Sequence, residues 1–161
     1  MIARVVPDPA KPSARCIMEA MPATCLFCQI AAGTVPAAKV YEDDEMLAFL
    51  DARPLFPGHC LLIPRPHFAT LTDLPPALVG PLFTRARLLA AALEEALAAE
   101  GSFVAINNRV SQSVPHLHVH VVPRRPKDGL KGFFWPRRKY QDDAELESTR
   151  LAIVRAIERL G

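Results

Sequence analysis

The 161-residue chain lacks an excess of charge of either sign: 19 Lys and Arg face 17 Asp and Glu, a net of +2 with histidine neutral. So small a net charge gives no argument for nucleic-acid or membrane-surface binding. Long hydrophobic runs are also missing. No apolar stretch approaches the roughly 18 residues of a membrane span, so no membrane association is expected. Prolines and charges interrupt the N-terminus, MIARVVPDPAKPSARC, which does not read as a secretory signal. A cytoplasmic location is the expectation. Cysteine is sparse, at Cys16, Cys25, Cys28 and Cys60. In an intracellular chain a Cys-x-x-Cys pair points to metal or redox chemistry ahead of a structural disulfide. No internal repeat is visible.

What is present is apolar enough, at half the residues, to build a hydrophobic core. Residues 1–22 carry four prolines and no periodicity, and read as an appendage with little order. A single domain is expected over 23–161, with its core at 25–124. Short strands are predicted at KVYE (39–42) and MLAFLD (46–51), around the acidic turn Glu42–Glu45. HCLLIP (59–64) follows the Pro57–Gly58 turn and is a third strand, with Cys60 as a small core residue. A helix is expected from an Asp73 N-cap, regular from about Pro81 and ended by Gly101. Its apolar stripe is Leu82, Leu89, Leu93 and Leu97. FVAIN (103–107) and LHVHVVP (117–123) are two more strands. A last helix runs from about Asp143 to Leu160, with Ile153, Val154, Ile157 and Leu160 on one face. Residues 124–139 hold seven Lys or Arg against one Asp. They read as a solvated basic loop or as a rim for phosphate-rich ligands, anchored by Phe133, Phe134 and Trp135.

The strongest signal is PHLHVHVVP at 115–123. Alternate side chains of a strand share a face. His116, His118 and His120 therefore line up together, and Leu117, Val119 and Val121 turn to the core. Packing alone gives no reason for three imidazoles in a row. Histidine changes protonation near neutral pH, so the row suits either a metal site or phosphoryl and nucleotidyl transfer by a neutral imidazole.

The segment His116-Leu-His-Val-His-Val-Val122 resembles the signature of the histidine triad (HIT) family. CLFCQI (25–30), VYEDDEMLAFLD (40–51), PGHCLLIPRPH (57–67), AINN (105–108) and QSVPHLHVHVVPR (112–124) resemble that family in the same order. The resemblance implies an α+β fold, an antiparallel meander of about five strands with one long helix and a C-terminal helix. It implies a homodimer paired through the long helix and an edge strand.

The resemblance also implies a nucleotide hydrolase or nucleotidyltransferase working through a covalent nucleotidyl-His118 intermediate. His120 and His59 would face the phosphate, and Ser113 would supply a proton to the leaving group. Asp51 would bind the ribose hydroxyls, which a carboxylate can accept as a pair. Phe27, Ile30, Phe49 and Leu50 would enclose the base, and Asn107 and Gln112 would contact phosphate. Cys25, Cys28, His67 and His116 match the structural zinc site of zinc-bearing relatives and of the related galactose-1-phosphate uridylyltransferases. No organic cofactor and no stable nucleic-acid binding are implied. The expected substrate is a purine nucleotide conjugate of phosphoramidate type. The alternatives are a dinucleoside polyphosphate, hydrolysed or phosphorolysed, a non-enzymatic nucleotide-binding protein, and a zinc sensor. One departure stands out: many relatives have Gly where this chain has Ser111, and the loop between Asn107 and Gln112 looks about two residues shorter.

Overall fold

The structure, a computed structural model, describes residues 24–130 and 140–160. The expectations for residues 1–22, for Cys16 and for the 131–139 part of the basic segment lie outside the described residues. The chain divides into two compact units, 1–127 and 128–161.

In the first unit the order is α1 (Leu26–Ala31), β1 (Lys39–Glu42), β2 (Met46–Leu50), β3 (Cys60–Pro64), a 3-10 turn (Leu71–Asp73), α2 (Pro76–Leu97), β4 (Gly101–Ile106) and β5 (Val119–Arg124). The five strands form one sheet in the order β1-β2-β3-β5-β4, every pair antiparallel. The meander runs through β1 to β3. The chain then crosses over through α2 to the far edge at β4, and β5 returns between β3 and β4.

Strand alternation gives the sheet two buried faces. Met46, Ala48, Cys60, Leu62, Val119 and Val121 meet Leu82, Ala86, Leu89 and Leu93 of α2. Each fully buried side chain of this size contributes about 1.5–3 kcal/mol. Leu47, Phe49, Leu61 and Ile63 face the other way, onto Cys25, Phe27, Cys28 and Ile30 around α1. Arg65 ties that helix down. Its Nη1 donates to the Ala31 carbonyl at 3.1 Å and its Nε to the Asp43 carbonyl at 2.6 Å. At the β1–β2 turn, Asp43 Oδ1 accepts the backbone N–H groups of Glu45 and Met46. Burial alone would raise the Asp43 carboxyl, but hydrogen bonds from Tyr41, this backbone and Arg85 hold it down to about 2.

The long helix departs from its sequence reading at both ends. Asp73 caps the 3-10 turn instead, accepting the Thr70 N–H and hydroxyl. The helix begins at Pro76, where proline's missing N–H is no loss. Pro81 lies inside it, preceded by Gly80, which has no Cβ to clash with the proline ring. The helix ends at Leu97, with Ala98 left-handed at φ 49°. Gly101 opens β4 because the Glu100 N–H already pairs with the Arg124 carbonyl. By length and composition α2 could cross a membrane, a run the sequence reading did not count. Leu82, Leu89 and Leu93 of its apolar stripe are buried on the sheet.

The second unit contains α3 (Asp143–Leu160), the bounds expected from sequence. Asp142 Oδ1 accepts the Glu145 N–H at its start, and Arg150 pairs with Glu147 one turn on. Ile153 is exposed, and the side chains of Ile157 and Leu160 lie outside the described residues.

Candidate active site and metal centre

The same alternation that builds the core gathers the site. Phe49 and Leu61 face α1, so two residues on in β2, and two back in β3, Asp51 and His59 come to the same side. The Asp51 N–H bonds to the His59 carbonyl at 2.9 Å, continuing the ladder past both strand ends. In β5, Val119 and Val121 face α2, which turns His120 to the α1 side, opposite Leu61. His116 and His118 precede the hydrogen-bonded part of β5, but their rings follow the same side. The His118 and His120 centroids are 4.8 Å apart, and Phe27 stands edge-on to His118 at 5.3 Å.

Hydrogen bonds fix the tautomer of each ring. His118 Nδ1 lies 2.7 Å from the His116 carbonyl. A carbonyl only accepts, so Nδ1 carries the proton and Nε2 keeps its lone pair. The Leu55 N–H donates to His59 Nδ1 at 3.2 Å, which puts the His59 proton on Nε2. That nitrogen sits 3.0 Å from His120 Nδ1 and donates to it. His120 must then carry its proton on Nε2, and Nε2 is buried with no partner among the described residues. The site therefore presents one imidazole lone pair and one unsatisfied N–H donor side by side. Burial, followed by the charges of His118 and His59, pushes the His120 imidazole down to about 4. Burial also lowers His59, against the pull of Asp51. Both rings are neutral at neutral pH, as the chain of tautomers requires.

His118 and His120 line a cleft of about 750 Å³. Phe27, Ile30, Phe49 and Leu50 form its apolar part, and Asp51, Arg53 and Ser113 its polar rim. Phe27 and Phe49 meet edge to face at 5.4 Å. Asp51 Oδ1 accepts the Arg53 N–H at 2.8 Å, and Oδ2 lies 3.6 Å from His59 Nδ1. His59 itself is buried behind His120 and is not part of the cleft lining. Asp51, His59 and His120 are close enough to suggest a metal cluster. However, His59 Nε2 and His120 Nδ1 are already paired with each other at 3.0 Å, and Asp51 approaches His59 at its other nitrogen.

A second cluster brings cysteines and histidines together. Cys25 and Cys28, one turn apart around α1, meet His67 and His116, with all four donor atoms within 4.8 Å of one another. His116 Nδ1 lies 3.6 Å from Cys25 Sγ and 3.5 Å from Cys28 Sγ, and His67 Nδ1 is 3.3 Å from Cys28 Sγ. A zinc tetrahedron with ordinary Zn–S and Zn–N bonds has S-to-N edges of about 3.5 Å. The donor set fits a metal ion of that size. His116 Nε2 donates to the Pro64 carbonyl at 2.9 Å, which leaves Nδ1 as the free donor and fixes the ring, as outer-shell bonds do for metal ligands. Burial pushes the Cys28 thiol up to about 12 and the His116 imidazole down to about 4.

The HIT domain pattern matches residues 32–127. The chain belongs to the HIT family. It is 37% identical over 108 residues to adenylylsulfatase HINT3 of Arabidopsis thaliana, covering 66% of this chain but only 55% of that protein. The chain thus spans about half the length of that relative. Adenosine 5'-monophosphoramidase HNT1 of Saccharomyces cerevisiae is 33% identical over 123 residues, 75% of each chain. A crystal structure from Streptococcus mutans UA159 superposes with a TM-score of 0.78 at 35% identity, covering 87% of this chain and 89% of that one. A zinc-bound histidine triad protein from Mycobacterium smegmatis gives 0.64 at 37%, covering 84% and 97%.

The HIT loop before the triad holds the clearest departures. Ser111 has φ 60° and Arg109 φ 65°, left-handed values that glycine adopts without strain. A glycine at position 111 would take that turn without the strain a serine carries there. Gln112 braces it. Its Oε1 accepts the Arg109 N–H at 2.7 Å and its Nε2 donates to the Ala69 carbonyl at 2.6 Å. Both of its amide atoms are thus committed to the loop. Asn107, half-buried past β4, lies outside the cleft lining. Sequence reasoning missed Arg53, the Leu55 N–H and the carbonyls of Pro64 and His116. Backbone atoms leave no sequence signal. Arg53 could have been suspected from its position two residues after Asp51.

Proposed function

We propose that the chain is a nucleotide hydrolase or nucleotidyltransferase acting at the α-phosphate of a purine nucleotide conjugate. The observation that carries this reading is the pairing of a bare His118 Nε2 with the buried, unpartnered His120 Nε2–H. His118 Nε2 forms a bond to phosphorus as the bond from phosphorus to the leaving nitrogen or oxygen breaks. His120 donates a hydrogen bond to an oxygen at the reacting phosphorus, where charge develops. Ser113, on the cleft rim, supplies the leaving group's proton. Water then attacks phosphorus, the bond to His118 breaks, and a nucleoside monophosphate leaves. The names of the two enzyme relatives, an adenylylsulfatase and a phosphoramidase, support an adenylyl conjugate with a small leaving group.

The Cys25–Cys28–His67–His116 cluster takes a structural zinc ion in this reading. Four protein ligands leave no open position for substrate, and the bound ion would cross-link α1 to the run into β5. The active form is a homodimer in the cytoplasm, with the exposed Leu88 of α2 and Val104 of the edge strand β4 as its contact face.

The test compares wild type with His118→Ala on an adenosine phosphoramidate and a diadenosine polyphosphate, with and without added phosphate. Wild type is expected to prefer the phosphoramidate and to trap a nucleotidyl adduct. The variant should lose at least about 10³-fold in turnover. Undiminished activity in His118→Ala would end the covalent mechanism. Phosphate-dependent cleavage of the polyphosphate would favour a phosphorylase.

A further inference from the structure

A Cys-x-x-Cys pair is capable of redox chemistry, which the nucleotide reading does not use. Cys25 and Cys28 are free thiols. Both Sγ atoms approach one nitrogen, His116 Nδ1, at 3.6 and 3.5 Å. They therefore lie on the same side of the first turn of α1, within 4.8 Å of each other. Cys25 is the N-cap, with extended backbone and no side-chain capping bond to hold it. Residues three apart at a helix start have Cβ atoms about 5–6 Å apart, and a disulfide needs about 4 Å. A small tightening of that turn closes the gap.

Both thiols are buried, but they are not equally shut in. Cys25 lines a second cavity of about 400 Å³, together with His67, Ala69 and Ser113. Cys28 does not line it and lies behind. Cys60, the third cysteine among the described residues, packs on the other face of the sheet and donates to the Gly58 carbonyl. It lines neither this cavity nor the nucleotide cleft. A thiol reached through a cavity, with a second thiol behind it, has the arrangement of a reversible oxidation site.

We propose that Cys25 and Cys28 are such a site, oxidised by a small peroxide entering the second cavity, and that their disulfide both dismantles the metal cluster and disturbs the nucleotide cleft. This rests on the nucleotide and zinc readings above and adds a regulation to them. The Cys25 thiolate attacks a peroxide oxygen, the O–O bond breaks, and hydroxide leaves and is protonated to water. The Cys28 thiolate then attacks the sulfur of the Cys25 sulfenic acid. The S–S bond forms, the S–O bond breaks, and a second water leaves. The two sulfurs give up two electrons and the peroxide takes them. Metal ligation needs thiolates, so the disulfide leaves His67 and His116 alone of the four donors, too few for a closed zinc site. The tightened turn also carries Phe27, which stands edge-on to Phe49 at 5.4 Å and to His118 at 5.3 Å.

The test treats the zinc-loaded full chain with hydrogen peroxide, in a Cys16→Ser background that removes the other thiol of that stretch. Intact and peptide masses report the disulfide, a chromogenic chelator reports released zinc, and calorimetry reports AMP affinity. Oxidation should form the Cys25–Cys28 disulfide, release about one zinc per disulfide and weaken AMP binding about fivefold. Dithiothreitol with added zinc should restore all three. Cys60→Ser should respond as its parent does. Ala69→Leu fills part of the cavity without replacing a donor atom, and should slow the oxidation at least about threefold with the same end product. Zinc retained after the thiols have reacted would overturn the proposal. So would a disulfide through Cys60, or an oxidised form that binds AMP as tightly as the reduced one. An unchanged rate in Ala69→Leu would refute the route through the cavity. Reduced protein that bound no AMP would refute the nucleotide reading and the coupling to it, while mass and metal would still judge the thiol chemistry.

Discussion

His59 is expected to act on catalysis through His120 rather than on the substrate. The perturbation is His59→Leu, which keeps an apolar body but removes the N–H that donates to His120 Nδ1 at 3.0 Å. His120 Nδ1 is then left without its donor, a loss of about 1–3 kcal/mol. Nothing would favour the Nε2–H tautomer any longer, so the donor aimed into the cleft is diluted. Carried into the transition state, the same energy is about a 5- to 150-fold fall in kcat. KM should stay nearly constant, because His59 is not part of the cleft wall. His59→Gln, which can place an amide N–H near the lost donor, should recover part of the rate. Nitrogen-15 spectra of the imidazoles give the independent readout, with His120 protonated on Nε2 in wild type and mixed in the leucine variant. A wild-type His120 protonated on Nδ1 would refute the reasoning. So would a variant whose KM rises while kcat holds.

Burial holds His116 and His120 down to about 4, below the ordinary 6.5. Between those values the unfolded chain binds protons that the folded chain does not, so stability is full above about pH 6.5 and declines toward pH 4. The melting temperature should drop from pH 7 to pH 5, less steeply in His120→Asn; a flat profile in wild type would contradict the burial. Stripping metal with a chelator should release about one zinc per chain and lower the melting temperature by on the order of 10 °C. Cys28→Ser should have the same effect, and an unchanged melting temperature would dismiss the cross-link. Gly58→Ala should cost about 2–4 kcal/mol: φ is +97° and a Cβ would lie 2.3 Å from Leu97 Cδ1. Urea unfolding measures that cost, and a loss under about 1 kcal/mol would mean Leu97 yields freely.

Strands were legible because alternation and core-facing apolar residues coincide. The bounds of β1 agree with the sequence reading, and those of β2 to β5 lie within two residues of theirs. The histidine row was legible for the same reason, since its alternate partners Leu117, Val119 and Val121 are core residues. Helix α1 was not read as a helix. Six residues give too little periodicity, and its fold depends on Arg65 and the sheet beneath it. The start of α2 was misplaced because Pro81 reads as a breaker, although Gly80 lets the helix pass through it. The loop at 107–112 was read by family likeness alone. There, the left-handed turns at Arg109 and Ser111 draw the Gln112 side chain inward.

The metal cluster and the cleft are not separate devices in this fold. Around α1, Cys25 at its N-cap and Cys28 lie three residues apart on one side, and Phe27 and Ile30 lie three apart on the adjoining one. One short helix and its N-cap therefore supply two of the four clustered donor atoms and two walls of the cleft. The second link is His116. Its Nδ1 faces the cysteines, its Nε2 is held by Pro64, and its carbonyl accepts the His118 N–H. A metal ion that fixes His116 would therefore also fix the carbonyl that keeps the His118 lone pair on Nε2. Loss of the ion should reach the nucleophile through that carbonyl and the base wall through Phe27. In the proposed reaction the row His116–His118–His120 would divide its work along one strand: a brace facing the cysteines, a nucleophile held by the brace's own backbone, and a donor set by His59.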